Sequence, residues 1–257
     1  MYAQVDIIPV LSDNYCYAVH ARDRSAVALV DPGETQSVMR FLSARRIIPT
    51  EIWLTHKHSD HIAGAVPLAQ RYGIPVRAPS EVPDLEVRCF QTGEGDRFPF
   101  GPTTVEVREV VGHTRGHVVY FVEDIIFSGD ALFLGGCGRL FEGTAAEMYE
   151  SLERVFGTVP DNVRLYCGHE YAEKNLRFAL EIEPDNPRVR AQYNYIKGLR
   201  AEGRPSVPGE MGRERQTNPF LRTRDRKLIE SLKVRKKMET APGLETFAAL
   251  RSLRDRY

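Results

Sequence analysis

Two stretches, AVALVD at 26–31 and EIWLT at 51–55, are almost unbroken apolar runs closed by a polar residue. Runs of this length predict strands buried on both faces. Residues 2–10 and 15–19 also read as strands, with LSDN as the turn between them. PGET opens a helix through about Ala44, with Thr35 as its cap, and IAGAVPLAQRYG predicts a helix closed by Gly73. IPVRAP, LEVRCF, TTVEVREVVG, HVVYFVED and DIIFSGD predict strands separated by glycine, proline and acidic turns. TAAEMYESLERVF predicts a helix with a capping box, Thr144 and then Glu147 three residues on. NVRLYCG reads as a strand and YAEKNLRFALEIE as a helix.

Past about residue 170 the strand signal fades. NPRVRAQYNYIKGLRAEG, RDRKLIESLKVRKK and LETFAALRSLRDRY predict helices, and GRPSVPGEMG at 203–212 is the clearest loop. The pattern predicts an α/β domain over 1–170 and a smaller helical domain over 171–257, with no internal repeat.

Composition narrows the function classes. The 257 residues carry 35 basic and 35 acidic side chains, so no net charge draws the molecule toward nucleic acid or an anionic membrane. Residues 222–237 hold eight lysines and arginines against two acids, but lack the interleaved aromatics of a nucleic-acid face. No apolar run reaches about 18 residues and MYAQVDIIPV has no export pattern. Cys16, Cys89, Cys137 and Cys167 are far apart, with no C-x-x-C pair. These features predict a cytoplasmic protein, monomeric for want of an interface stripe.

The chemistry is concentrated in THKHSDH, residues 55–61, which holds three of the seven histidines. It follows EIWLT. His113 follows VREVVG, Asp130 follows DIIFSG and His169 follows NVRLYCG. Each cluster stands just past the carboxyl end of an apolar strand, the side of an α/β sheet where ligands bind. Imidazole and carboxylate donors suit zinc, and also iron or manganese. Seven ligands exceed what one ion with an open position needs, and they match two ions sharing a carboxylate. In that layout His56 and His58 reach one ion, and Asp60 and His61 the other. His113 and His169 complete one ion each, and Asp130 bridges. Two dications about 3.5–4 Å apart hold a bridging hydroxide at neutral pH.

H-x-H-x-D-H followed by single His, Asp and His is similar to the signature of the metallo-β-lactamase superfamily. THKHSDH, GHTRGH, GDALFLGGCGRLFEGT, YCGHEY and NPF near residue 218 together resemble the glyoxalase II (hydroxyacylglutathione hydrolase) family, over nearly the whole chain. The resemblance implies an αββα sandwich with a helical substrate-binding domain, and hydrolysis of S-D-lactoylglutathione and related thioesters. It implies glutathione contacts from Arg139, Tyr171, Arg251 and Arg254. The family often has lysine at the positions of Arg139 and Arg254, and some members have tyrosine where Phe141 stands. Asp60 and Asp130 are the expected catalytic ligands, with a proton role for Asp60 left open. His117 is expected to orient its loop, His20 to lie on the surface, Asp31 to shape a turn, and Cys137 to be no nucleophile. Two alternatives stay open: another enzyme of the superfamily, such as a persulfide dioxygenase or a lactonase, and a binding protein that has kept the fold.

Overall fold

Alternation along the first strands explains how they come to lie in the middle of a sandwich. The computed structural model describes residues 3–257. One sheet runs in chain order through β1 (Gln4–Val10), β2 (Asn14–His20), β3 (Val27–Val30), β4 (Glu51–Trp53), β5 (Val76–Pro79) and β6 (Cys89–Thr92). The first three strands are antiparallel, and β3 to β6 are parallel. Helices α1 (Thr35–Arg45), α2 (Ser59–Ile62) and α3 (Ala65–Tyr72) connect the parallel strands. The second sheet contains β7 (Arg97–Phe100), β8 (Thr103–Glu109), β9 (Val118–Val122) and β10 (Ile125–Gly129). A hairpin of β11 (Leu132–Phe133) and β12 (Gly136–Cys137) and helix α4 (Ala145–Phe156) then lead to β13 (Arg164–Cys167), parallel to β10.

Along β2, Tyr15, Tyr17 and Val19 enter a core shared with the second sheet, while Cys16 and Ala18 enter another shared with α1 and α3. Ala28 and Val30 divide from Leu29 in the same way. The runs at 26–31 and 51–55 are therefore apolar throughout because both faces are covered. Trp53 fills the space between the sheets, with Phe98, Phe100 and Tyr120 around it. Met148, Leu152 and Phe156 of α4 cover the second sheet from outside. The result is the expected α/β sandwich, with helices outside two mixed sheets.

Local corrections have local causes. Glu34, not Thr35, caps α1, its carboxylate accepting from the Ser37 N–H at 3.1 Å. The helix expected over IAGAVPLAQRYG is closed by Gly73 as expected but starts only at Ala65, since Gly64 before it donates to the Pro32 carbonyl at 2.8 Å and a Cβ there would lie 2.5 Å from that oxygen. The strand β7 was missed because Pro99 interrupts RFPF; at the sheet edge a proline costs no ladder bond. The first strand begins at Gln4, and its expected start at Tyr2 lies outside the described residues. His20 is not a free surface residue, since its Nε2 stands 2.9 Å from Asp6 Oδ2.

The region after 170 contains α5 (Ala172–Ile182), α6 (Pro187–Ala201), β14 (Gly209–Glu210), α7 (Met211–Thr217), α8 (Arg226–Lys236) and α9 (Leu244–Asp255). The stretch read as a loop at 203–212 thus carries β14, which pairs with β13, and the start of α7. Leu176, Phe178, Phe220 and Phe247 join the same core as the second sheet. No helix among the described residues is long and apolar enough to cross a membrane.

One buried carboxyl in this region has a consequence for stability. Burial pushes Glu214 up to about 7 from 4.5, although the Gly135 N–H and the Asn218 amide both donate to it. Below about 4.5 both folded and unfolded chains hold its proton, so it contributes nothing to the pH dependence there. Between 4.5 and about 7 only the folded chain holds it, so stability falls as pH rises. The full cost above that window is on the order of 3 kcal/mol. Glu214→Gln is expected to flatten the melting-temperature profile between about pH 5 and about pH 8 and to melt higher than the unsubstituted protein at the upper end. An unchanged slope would rule out the raised carboxyl.

Candidate metal centre

Strand register gathers the seven proposed ligands at one rim. Parallel pairing of Val30 with Trp53 sets Asp31 beside the segment that continues into Thr55 and His56. Parallel pairing of Gly129 with Cys167 sets Asp130 beside Gly168 and His169. Tyr15 N–H donates to the Gly168 carbonyl at 2.8 Å, which stitches the two sheets together at this rim. Asp60 and His61 sit on α2, directly after the strand that delivers His56.

The donor atoms form two adjoining groups. In one, His58 Nδ1 lies 3.0 Å from both His56 Nε2 and His113 Nε2, and Asp130 Oδ2 lies 3.3 Å from His113 Nε2. In the other, His61 Nε2 and His169 Nε2 are 3.2 Å apart, with Asp60 Oδ2 at 3.5 and 3.4 Å from them. Asp130 faces both, with Oδ1 3.4 Å from His61 and Oδ2 3.3 Å from His169. Ring nitrogens that face each other across about 3 Å compete for one proton between them. Asp130 Oδ1 is buried with no hydrogen-bond partner among the described residues. Divalent cations would satisfy these lone pairs together, so the residues fit the metals they are expected to hold.

The back of each ring is held as well. His61 Nδ1 meets Asp31 Oδ2 at 3.0 Å, His169 Nδ1 meets Asp13 Oδ1 at 3.0 Å, and His113 Nδ1–H donates to the Arg139 carbonyl at 2.9 Å. Thr55 Oγ1 stands 2.9 Å from His56 Nδ1. These partners turn Nε2 of all four rings toward the centre; His58 alone presents Nδ1. His117 accepts from the Asp130 N–H at 3.1 Å and stacks on His56 with ring centroids 4.8 Å apart. Its other nitrogen has no partner among the described residues, and burial holds its pKa well below the usual imidazole value. It therefore orients the backbone at Asp130 as a neutral ring.

The carboxylates of the cluster attract positive charge, which protons supply in the metal-free chain and cations would supply in their place. Burial alone would raise the Asp130 carboxyl, but His61, His169 and His113 outweigh it and hold the group well below the usual carboxylate range. Burial likewise works against a charged His61, yet Asp130, Asp31 and Asp60 raise it to about 9.

Asp31 does more than shape a turn. Its carboxylate accepts from Thr55 N–H at 2.8 Å and Thr55 Oγ1–H at 2.7 Å, besides meeting His61. It also lies near His56, but these bonds leave it orienting the ligands rather than adding to them. The available signal was an acid ending a strand parallel to the one that delivers the histidines. Asp13 and Asn14 were missed too: Asn14 Nδ2 donates to Asp60 Oδ2 at 2.8 Å, from the first residue of β2, where the sequence carries no motif.

A cavity of about 650 Å³ opens over Asp60 and Asp130, and Arg139, Tyr171, Arg251 and Arg254 line it. The Tyr171 ring stacks parallel on His169 at 4.7 Å, and burial pushes its phenol up to about 12. Arg139 is mostly exposed beside Asp255, and Arg254 donates to Asn175 Oδ1 at 3.1 Å. Arg251 is buried, and four of its five N–H groups go to Cys137 O, Gly138 O and Asp255 Oδ1. Lys174 and Asn175, also on the cavity wall, follow Tyr171 by three and four residues on the same helical face. Phe141 lies over His58 and His113 without a hydroxyl to offer. Burial pushes the Cys137 thiol up to about 11, which disfavours the thiolate at neutral pH.

Comparisons with known proteins agree with this geometry. Residues 11–169 match the metallo-beta-lactamase superfamily, and residues 170–257 match the family described as hydroxyacylglutathione hydrolase C-terminus. The chain is 38% identical over 262 residues to the hydroxyacylglutathione hydrolase of Nitrobacter winogradskyi, covering 100% of each. It is 39% identical over 259 residues to that of Pseudomonas putida, covering 99% of each. Its fold is similar to the crystal structure of ETHE1 from Myxococcus xanthus, with a TM-score of 0.65 at 24% identity over 99% of this chain and 98% of that one. The imidazole and carboxylate cluster, in a superfamily of this kind, marks a divalent-metal site. With full-length relatives at this level of identity and both halves of the chain matched, the protein belongs to the hydroxyacylglutathione hydrolase family of the metallo-β-lactamase superfamily.

Proposed function

We propose that this protein hydrolyses the thioester of S-(2-hydroxyacyl)glutathione, typically S-D-lactoylglutathione, to the hydroxy acid and glutathione. It would thereby complete methylglyoxal detoxification, as a monomer in the cytoplasm. The observation that carries the reading is the meeting of seven donors in two groups that share Asp130. The names of the full-length relatives support the substrate class.

His56, His58 and His113 would hold one divalent ion, and Asp60, His61 and His169 the other, with Asp130 between them. Zinc suits the set best, with iron or manganese also accommodated. When bound, the pair would supply an activated hydroxide at neutral pH and Lewis-acid polarisation of the thioester carbonyl. Asp60, anchored by Asn14, keeps one carboxylate edge at the cavity floor. The 171–257 region, read as the substrate-binding domain, contributes Tyr171, Arg251 and Arg254 to the wall of the cavity that Arg139 also lines. Glutathione has two free carboxylates, and Arg139 and Arg254 offer guanidinium groups to grip them. Arg251, with most of its donors engaged, adds positive charge and one remaining N–H. Held this way, the substrate would present its carbonyl over the metal pair, which is catalysis by positioning.

The test is steady-state hydrolysis of S-D-lactoylglutathione beside metal analysis of the same sample, with two ions per chain expected. One iron per chain, oxygen uptake on glutathione persulfide and no thioester cleavage would defeat the proposal. Arg254→Ala is expected to raise KM about tenfold with kcat nearly unchanged, since it removes an interaction made equally in ground and transition states. A fall in kcat at constant KM would place Arg254 elsewhere in the mechanism.

A further inference from the structure

The NPF motif at 218–220 has no part in the chemistry above, yet Asn218 is completely buried. The two hydrogens of its Nδ2 group are shared among the carbonyls of Phe133 and Gly136, at 3.2 and 3.0 Å, and Glu214 Oε2 at 3.1 Å. The same Glu214 oxygen accepts the Gly135 N–H at 2.7 Å. Asn175 Nδ2 donates to the Leu134 carbonyl at 3.1 Å, and Arg251, lying over the Phe220 ring, donates to those of Cys137 and Gly138. One backbone polar group from each of the five residues 133–137 is thus met by side chains from four separate places after residue 170. The fit is close: a Cβ on Gly136 would come 2.7 Å from the Asn175 amide, and one on Gly135 3.0 Å from Leu176.

This turn bears directly on the metal centre. Gly138 packs so closely on Asp130 that a Cβ there would lie 2.0 Å from the Asp130 carbonyl oxygen and 3.1 Å from His113 Nδ1. The next carbonyl, that of Arg139, accepts the His113 Nδ1–H. We propose that Glu214 and Asn218 are positioning residues for the metal centre: they clamp the 133–138 turn, and through the Arg139 carbonyl they fix the ring of His113. The helical region then organises the ion held by His56, His58 and His113, in addition to lining the substrate cavity. This inference rests on the binuclear reading above.

Three variants test it. Glu214→Leu removes the shared acceptor, and Asn218→Asp keeps the shape but replaces the donor by an oxygen. Glu214→Gln keeps one oxygen for both donors. Metal content is counted after dialysis of the loaded proteins against a weak chelator, and amide exchange at Gly135 is followed in the unsubstituted protein. The unsubstituted protein and Glu214→Gln are expected to keep two ions, while Glu214→Leu and Asn218→Asp keep one. In those two, kcat should fall about tenfold or more with KM nearly unchanged, the size seen when a ligand loses its orienting partner. The Gly135 amide should exchange as slowly as the core strands.

Retention of both ions by folded Glu214→Leu and Asn218→Asp would overturn the proposal. So would rapid exchange at Gly135, which decides the matter even if those variants do not fold. Fewer than two ions in the unsubstituted protein would overturn the binuclear reading itself, and with it the role of the clamp toward the ion held by His113.

Discussion

Replacing Asp130 by alanine is expected to lower kcat/KM for S-D-lactoylglutathione about a thousandfold, equivalent to about 4 kcal/mol of transition-state stabilisation. The size follows from its position. Among the described residues Asp130 is the one carboxylate within 3.4 Å of donors from both groups, facing His61, His113 and His169. Without it, three imidazoles would lose the charge that faces them, and the two proposed ions would lose their shared ligand. The replacement also leaves Asp60, which faces His61 and His169, as the one carboxylate among the remaining proposed ligands. Metal content should fall together with activity, to one ion or fewer per chain. Asp130→Asn keeps the shape and one oxygen, and should fall between the two proteins. Hydrolysis at an unchanged rate in Asp130→Ala would refute the shared-ligand mechanism outright.

A second large effect is expected at a residue with no functional group. Gly168 lies between Cys167 and His169, where a Cβ would come 2.3 Å from Asp130 Oδ1 and 2.7 Å from His61 Cε1. Either contact is far inside van der Waals distance, and both neighbours are fixed, His61 by Asp31 and Asp130 by His117 through its backbone. Gly168→Ala should therefore displace a ligand, with the fold destabilised by about 1–3 kcal/mol as in other overpacked sites. Activity should drop by about two orders of magnitude, as when a charge-stabilising group is lost from a site. The glycine is needed here for space, since its φ is not in the left-handed region. Gly198→Ala makes a clean control, because a Cβ there, in the middle of α6, meets nothing within 4 Å. Metal content and kcat/KM equal to the unsubstituted protein in Gly168→Ala would show that the rim relaxes more freely than its hydrogen bonds imply.

Much of this site was legible in the chain because parallel strands end on one side. AVALVD and EIWLT read as doubly buried strands, and β3 and β4 are adjacent and parallel. The histidines and acids that follow such strands had to arrive near one another. Local signals also sufficed for α4, whose Thr144–Glu147 capping box is present. What could not be read depends on partners distant in sequence. Arg251 was recognisable as a cation near the cavity, but its bonds run to Cys137 and Gly138, 114 and 113 residues away. Asp31 looked like a turn residue because nothing nearby in sequence shows that its second oxygen meets His61, 30 residues on. Glu214 and Asn218 carry no periodic or motif signal for a clamp, since their partners are backbone groups of residues 133–136, which have no side-chain identity to read. Short elements such as β14 are set by pairing alone, and a two-residue strand has no pattern.

That two-residue strand has a practical meaning. Gly209 and Glu210 lie against Leu165 and Arg164, covering the outer flank of β13 at the end of the second sheet. An uncovered flank of this kind is a template on which other chains can pair and aggregate. The helical region therefore acts as a solubility guard for the sheet it follows. Anyone grafting the metal-bearing half onto another helical partner has to bring a substitute for residues 209–210, or accept a sticky edge beside the last ligand.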